Sequence, residues 1–465
     1  MSIASITASS RLAGIVGPAH VISESPELAA YEIGGKKPLS VVRPGSAEEV
    51  AEIVRFAAAE KLALVPCGAR TKLAMGFPPR QYDLALDLVR LDRVTAYDPG
   101  DLTLGVEPGI PLCALAGVLG EHKQWLPLAV PYFSRSTAGG AVASGVDTPL
   151  RQMYGTARDY VLGMEFVTGE GVAAKSGGRV VKNVTGYDLH KLMIGAQGTL
   201  GVMTKINFRT FPVPIARRVL IATFEGAARA IEMRHRLARS PLSPMSIEIL
   251  SPRAAEFLAS DAAAQIAPAA PPPDALPAQQ WTLAAEFSGA ETVLERCERD
   301  FRQMAGECAA ANRMAYSGDA ATAITSRVRE FIPIALASSP VTTVVKASVL
   351  PTRMAELIAA AAKAAETNSV SFAAMARGLG VIYVALLAAD RTEESRRRAS
   401  QSTEQILTEA GKLDGHATIP WSPAEWKSAL KIWGLPRADF EQMRKIKTVF
   451  DPGGVLSPGR FVGGL

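Results

Sequence analysis

Apolar and polar positions switch between a helical and a strand period through the first 215 residues. After the turn signal RPGS, AEEVAEIVRFAAAEK (47–61) carries apolar residues at helical spacing with acids in its first turn, and predicts a helix. LALVP (62–66) follows as a buried strand running into a glycine-containing loop. LALDL (84–88), VTAYDP (94–99) and LTLGVEPG (102–109) predict further strands, separated by Asp, Pro and Gly breakers. VLGMEFVTGEGVAAKSG (161–177) predicts a hairpin turning at Thr168, Gly169, Glu170 and Gly171. GTLGVMTKINFRTFP (198–212) predicts one long strand, ended by Pro212 and Pro214.

From 216 to 415, strand patterns (VLIATFEG, SIEIL, WTLAAEFSG, VTTVVKASVL, GVIYVALL) alternate with Ala-rich helical ones (TRMAELIAAAAKAAE, EESRRRASQSTEQILTEAG). That order predicts a separate α+β domain. Residues 260–280, SDAAAQIAPAAPPPDALPAQQ, are so rich in Ala and Pro that they read as a surface loop. A length of 465 residues suits two or three domains, and a 48% hydrophobic composition supports a substantial core. The apolar run Val381–Ala389 reaches only about half of the roughly 20 residues that a spanning helix needs, so no transmembrane segment is expected. The N-terminus lacks a basic region followed by a clean apolar core and does not read as a signal peptide. Cys67, Cys113, Cys297 and Cys308 show no CxxC spacing, which argues against a disulfide framework or an iron–sulfur cluster in this chain and fits the cytosol. The net charge of +5 comes from 50 basic and 45 acidic residues with interspersed signs, a poor footprint for nucleic acid or a membrane surface.

Three glycine-rich segments carry the chemistry. VPCGART (65–71) is a loop directly after a strand, where successive N–H groups form a concave nest that holds a phosphate without a lysine; no GK[ST] follows, so it is not a triphosphatase loop. PYFSRSTAGGAVASG (131–145) has small residues at nearly every position from 136, which lets backbone approach an anion, with Ser136, Thr137 and Ser144 as hydroxyl donors. YGTARDYVLG (154–163) is followed by VKNVTGYDL (181–189) and GAQGTLGV (195–202). Each alone reads equally as a turn beside a strand. Their order and spacing, with WGLPRADFEQMRKIKTVFDPGGVLSPGRF (433–461), closely resemble the vanillyl-alcohol oxidase family, which has a PCMH-type FAD-binding fold. Within that family GGRVVKNVTGYDLHKL is most similar to the FAD-binding subunits of bacterial glycolate oxidases.

The resemblance implies an α+β architecture with a two-lobed FAD-binding domain (1–215) and a cap domain with a mainly antiparallel sheet (216–415). A C-terminal segment (416–465) would return to the first domain. It implies that Pro66, Cys67, Gly68, Ala69, Arg70 and Thr71 contact the FAD pyrophosphate. Pro131, Ser136, Thr137, Ala138, Gly139, Gly140 and Ser144 would line the opposite side, with Gly201 and Val202 at the adenine end; Arg460, in SPGRF, reads either as a charge beside the reduced flavin or as one that pairs with phosphate or solvent. Many relatives tether the flavin through a histidine in or near the first loop. Here the five histidines (His20, His122, His190, His235, His416) lie elsewhere, so non-covalent FAD is expected, and His190 reads as a core or interface residue.

Relatives that oxidise D-2-hydroxy acids carry a histidine-rich cap motif that can hold a divalent metal. The corresponding stretch, AAMARGLGVIY (373–383), has neither histidine nor carboxylate, so no metal site is expected there. Three readings stay open. The chain is the second flavin subunit of a glycolate-oxidase-like complex, in which a partner flavin subunit performs the hydroxy-acid chemistry and an iron–sulfur subunit collects electrons for a protein or quinone acceptor. Or it is a self-sufficient, metal-independent D-2-hydroxy acid dehydrogenase, with Arg377 or Lys346 binding a carboxylate and His416 or Tyr383 as base. Or it is an interaction subunit that keeps the fold without catalysis. Arg377 reads more simply as a surface or helix-terminal charge. The expected place is the cytoplasm, with contact at the inner membrane only through partners.

Overall fold

The computed structural model describes residues 3–23, 26–179, 186–339, 341–435 and 438–465. Four short strands, β1 (Val21–Ser23), β2 (Ser40–Val42), β3 (Leu64–Cys67) and β4 (Leu84–Asp87), form a sheet in the order β1-β2-β4-β3. β2 and β3 both run parallel to β4. Helix Ala47–Ala59 begins where the Ser46 side chain accepts the Glu49 N–H, a capped start with acids in the first turn. Its apolar stripe, Val50, Ile53 and Val54, covers this sheet.

The next segment supplies β5 (Val94–Asp98), β6 (Thr103–Val106), β7 (Gln124–Trp125), β8 (Val161–Val167), β9 (Ala173–Gly177), β10 (Val202–Arg209) and β11 (Phe211–Pro212). Five of them make an antiparallel sheet in the order β5-β6-β10-β8-β9, while β7 pairs with β11. The single long strand expected over 198–212 is therefore two. Thr210 lies between them, fully buried: its N–H donates to the Leu102 carbonyl in the β10–β6 register and its hydroxyl to Gln124 Oε1 at 2.6 Å, and the chain then passes on to pair with β7.

The second domain is built on eight antiparallel strands, β12 (Arg217–Phe224), β13 (Ser246–Leu250), β14 (Trp281–Ser288), β15 (Asn312–Ser317), β16 (Val341–Ser348), β17 (Ser371–Arg377), β18 (Val381–Ala388) and β19 (His416–Trp421). Their order is β15-β12-β14-β13-β17-β18-β16-β19. Helices Ala227–Arg239, Glu291–Glu307, Met354–Thr367 and Glu393–Lys412 bury Ile231, Leu294, Leu357 and Ile406 against one face. The other face is shared between helices Pro252–Ala259, Gly318–Arg329 and Phe331–Ser338 and the first domain. The surface loop expected over 260–280 is corrected. Asp261–Ile266 is a helix capped by Ser260, and Ala263, Ala275 and Leu276 are buried. The buried Arg327 guanidinium fixes this stretch by donating to the carbonyls of Leu258, Ser260 and Ala269.

The segment 416–465 divides. β19 is an edge strand of the large sheet, and the chain reaches the first sheet again at Val455–Ser457, where the Leu64 N–H donates to Val455 O and Leu64 O accepts from Ser457. Helix Phe440–Phe450 is pinned there by Lys447, whose ammonium donates to Thr199 O, Leu456 O and the Asp451 carboxylate.

Candidate functional site

A cleft with about 800 Å³ of empty space, part of it open to solvent, runs between three walls of the first domain. The first wall is the loop leaving β3, where Pro66, Cys67, Gly68, Ala69, Arg70 and Thr71 all face the cleft. Arg70 adopts φ 61°, a reversal of backbone handedness that turns successive N–H groups toward one side. The N–H groups of residues 68–72 make no hydrogen bond among the described residues. The loop is braced from behind: Arg70 Nη1 donates to the Tyr31 hydroxyl at 3.0 Å, which donates to the buried Asp87 carboxylate at 2.6 Å. Burial, reinforced by that hydrogen bond to Asp87, pushes the Tyr31 phenol up to about 12, so it stays a donor.

The second wall is the start of helix Ala138–Ser144, contributing Thr137, Gly139, Gly140 and Ser144. Its first amides are already occupied: Ala138 N–H donates to Ile110 O, Gly139 N–H to Pro108 O, and Gly140 N–H to the Thr137 hydroxyl. Small residues are required here because the walls meet. A Cβ on Gly139 would lie 2.5 Å from Pro108 Cβ, and one on Gly68 would lie 2.4 Å from Thr137 Oγ1. Of the other residues expected on this side, Ala138 lies in the core of the five-stranded sheet, and the buried Ser136 hydroxyl donates to Pro131 O and accepts from Lys72 of the cleft lining at 2.7 Å. The third wall holds Gln197, Gly198, Gly201 and Met203, while Val202 packs into the core of the first sheet.

Among the described residues, three cations and no carboxylate line the cleft: Arg70, Lys72 and Arg460. Arg460 Nη2 donates to Leu73 O at 2.8 Å and Met75 O at 2.9 Å, and its buried Nη1 has no partner among the described residues; burial lowers its pKa to about 10. No histidine is among the lining residues, and burial pushes the Cys67 thiol well up, so it stays protonated. Free amides on a nest, three cations and no opposing acid suit a ligand with a doubly charged diphosphate bridge. The residues fit FAD. Lys72, Leu73, Met75, Pro108, Gln197 and Gly198 also line the cleft and are not expected from the sequence. Only the placement of Lys72 beside the nest and of Gln197–Gly198 within GAQGTLGV hints at them.

Met75, Ser144 and Gln197 also border a second chamber of about 1060 Å³ between the first domain and the large sheet. Lys346, Tyr383 and His416 line it, all on one sheet face by register: Lys346 stands opposite Tyr383 on one side and Thr418 on the other, and Ser348 opposite His416. Trp433 and Phe461 form part of the facing wall. The Lys346 ammonium makes no ion pair among the described residues; burial lowers its pKa, with Asp147 pulling the other way. Tyr383 is fully buried and burial raises its pKa, so the phenol is no base near neutrality.

Arg377 corrects its expectation. It ends β17 only 4% exposed, with Nε 2.9 Å from Asp147 Oδ2 and Nη1 donating to Glu248 Oε1 at 2.7 Å. It is neither a surface charge nor open to a substrate carboxylate, because two protein carboxylates already hold it. His190 is buried in a four-residue helix, its Nδ1 3.1 Å from Ser176 Oγ. Of the segment VVKNVTGYDL, residues 180–185 lie outside the described residues.

A family model described as an FAD binding domain matches residues 38–177, and one described as the C-terminal domain of FAD linked oxidases matches 213–419 and 434–461. The chain is 24% identical over 436 residues to glycolate oxidase subunit GlcD of Bacillus subtilis, covering 91% of this chain and 88% of that one. It is 39% identical over 167 residues to glycolate oxidase subunit GlcE of Escherichia coli, covering 36% of this chain and 47% of that one. The crystal structure of p-cresol methylhydroxylase shares the fold with a TM-score of 0.78 at 17% identity, covering 99% of this chain and 97% of that one. The chain belongs to the vanillyl-alcohol oxidase-type, PCMH-fold family of FAD-linked oxidases, and is an FAD-dependent oxidoreductase that holds its cofactor non-covalently.

Proposed function

We propose that the chain is a flavin subunit of a glycolate-oxidase-like complex that oxidises a small 2-hydroxy acid and passes electrons to a protein or quinone acceptor. The observation that carries this reading is the Lys346 ammonium, without an ion pair among the described residues, in a chamber that shares Met75, Ser144 and Gln197 with the nucleotide cleft. Two relatives named as glycolate oxidase subunits support a multi-subunit setting, with a second flavin subunit and an iron–sulfur subunit as partners.

In this reading the diphosphate of FAD lies on the amides of residues 68–72, with Thr137, Gly140 and Ser144 across the cleft and Gly201 further along it. Bound FAD supplies a two-electron acceptor. Lys346 binds the substrate carboxylate and so orients its C2 carbon. The His416 imidazole takes the C2 hydroxyl proton, because Tyr383 holds its own proton too tightly. Tyr383 and the Trp433 wall keep bulk water from the reacting carbon.

Dye reduction by glycolate and D-lactate, measured for the yellow chain alone and after co-expression with neighbouring subunits, tests the reading. Turnover only in the assembled complex, lost in Lys346→Met, is the expected result. Turnover by the chain alone would favour a self-sufficient dehydrogenase, the second reading, which the clustering of Lys346, His416 and Tyr383 supports. No turnover in either form, with FAD retained, leaves the interaction-subunit reading.

A further inference from the structure

The three cations of the nucleotide cleft are balanced differently. Arg70 is tied to the Tyr31 hydroxyl at 3.0 Å and to Asp87 at 3.5 Å. Arg460 is anchored by two main-chain carbonyls. Among the described residues Lys72 has only neutral partners: Nζ lies 2.7 Å from Ser136 Oγ and 3.3 Å from Thr71 Oγ1, and 6.0 Å from the centre of the Tyr132 ring.

The acid whose field reaches Lys72 is Glu330, from the cap. Its carboxylate is already occupied, accepting the N–H groups of Tyr132 at 2.6 Å and Phe133 at 3.1 Å and pairing with Arg329 at 3.1 Å. Lys72 is half-buried, and an ammonium partly withdrawn from water against hydroxyls gains when an anion joins it. Burial accordingly lowers Lys72 to about 8. Lys72 closes the run of unbonded amides from Gly68 and lines the same cleft.

We propose that Lys72 is the side-chain counter-ion of the FAD diphosphate, adding a direct charge contact to the main-chain nest of residues 68–72. The inference rests on the reading that the diphosphate lies on that loop. It assigns a role to a lysine where the loop pattern alone requires none. It also explains the hydroxyls of Thr71 and Ser136, which aim the ammonium and leave it a donor free for the phosphate oxygens.

The experiment compares three ligands on deflavinated protein: FAD and riboflavin by quenching of flavin fluorescence, and ADP by calorimetry and by competition with FAD. Lys72→Met is expected to weaken FAD and ADP by about 10- to 100-fold, the effect of losing one charge-assisted hydrogen bond, and to leave riboflavin unchanged. Lys72→Arg should recover most of the affinity. Unchanged FAD and ADP binding in Lys72→Met, or a loss for riboflavin with ADP intact, would overturn the assignment. If ADP does not compete with FAD on the wild-type protein, the placement of the diphosphate itself falls. Should Lys72→Met fail to fold, Lys72→Gln, which keeps a donor for Ser136, runs the same comparison with the same expected losses.

Discussion

Among single residues, Lys346 has the sharpest consequence. It is held by a sheet whose register brings Tyr383, Thr418 and His416 to the same face, and it makes no ion pair among the described residues. Lys346→Met should raise KM for a 2-hydroxy acid by about 10- to 100-fold while leaving bound FAD per chain unchanged, read from dye-reduction kinetics and the flavin absorbance. An unaltered KM would remove the carboxylate-binding role. Glu248 offers a different readout. Burial raises its carboxyl from the ordinary 4.5 to about 7 against the pull of Arg377. The folded protein therefore binds this proton more tightly than the unfolded chain does. Its contribution to stability falls as pH rises from about 4.5 to about 7 and is level above that. Glu248→Gln should flatten that part of the melting temperature against pH, and an unchanged profile would show that Glu248 does not titrate there. Lys346, His416 and Tyr383 stand out in the sequence as residue types with the right chemistry, but nothing in a linear pattern shows that they share a sheet face. Arg377 escapes a sequence reading for the same reason: its partners Asp147 and Glu248 lie far away along the chain, so its burial leaves no local trace.

For whole elements, the helix after Thr137 shows how a correct motif can have a different physical cause. The run of small residues is legible and does mark the cleft, but much of its smallness serves contact between protein walls. Gly139 meets Pro108, and the amides of residues 138–140 bond to protein acceptors. Gly139→Leu must push the helix start away from Pro108, so FAD content per chain should fall severalfold, measured by absorbance after gel filtration. Gly117→Ala, in a helix with nothing within 4 Å of the new carbon, is the control, and should retain full FAD with equal or slightly higher stability. Equal flavin content in both would show that the close approach is not needed. Strong periods and breakers give away helix Ala47–Ala59, the hairpin of β8 and β9, and most cap strands. The order of residues 260–280 is invisible to composition because it comes from Arg327, a charged residue reaching back to main-chain carbonyls.

In the whole molecule, the two domains are held in register by charges that cross between them. Asp147 of the first domain meets Arg377 of the cap, Arg377 meets Glu248, and Glu330 of the cap holds the amides of Tyr132 and Phe133. The chamber lies between these same two domains. Removing Arg377 leaves Asp147 and Glu248 buried without their shared cation, although Arg151 still pairs with Asp147. Arg377→Met should therefore destabilise the protein by about 3–5 kcal/mol, the usual cost of stripping one partner from a buried ion pair. Adding Glu248→Gln to that variant removes one of the stranded acids, so the double variant should unfold at higher urea than Arg377→Met alone, although it carries one more substitution. That reversal distinguishes charge compensation from simple loss of packing, which would make the double variant equal or worse. If the clasp also sets the chamber, Arg377→Met will raise KM for the hydroxy acid, and the double variant will bring it part of the way back in step with stability. Recovery of stability without recovery of KM would separate the clasp from the site.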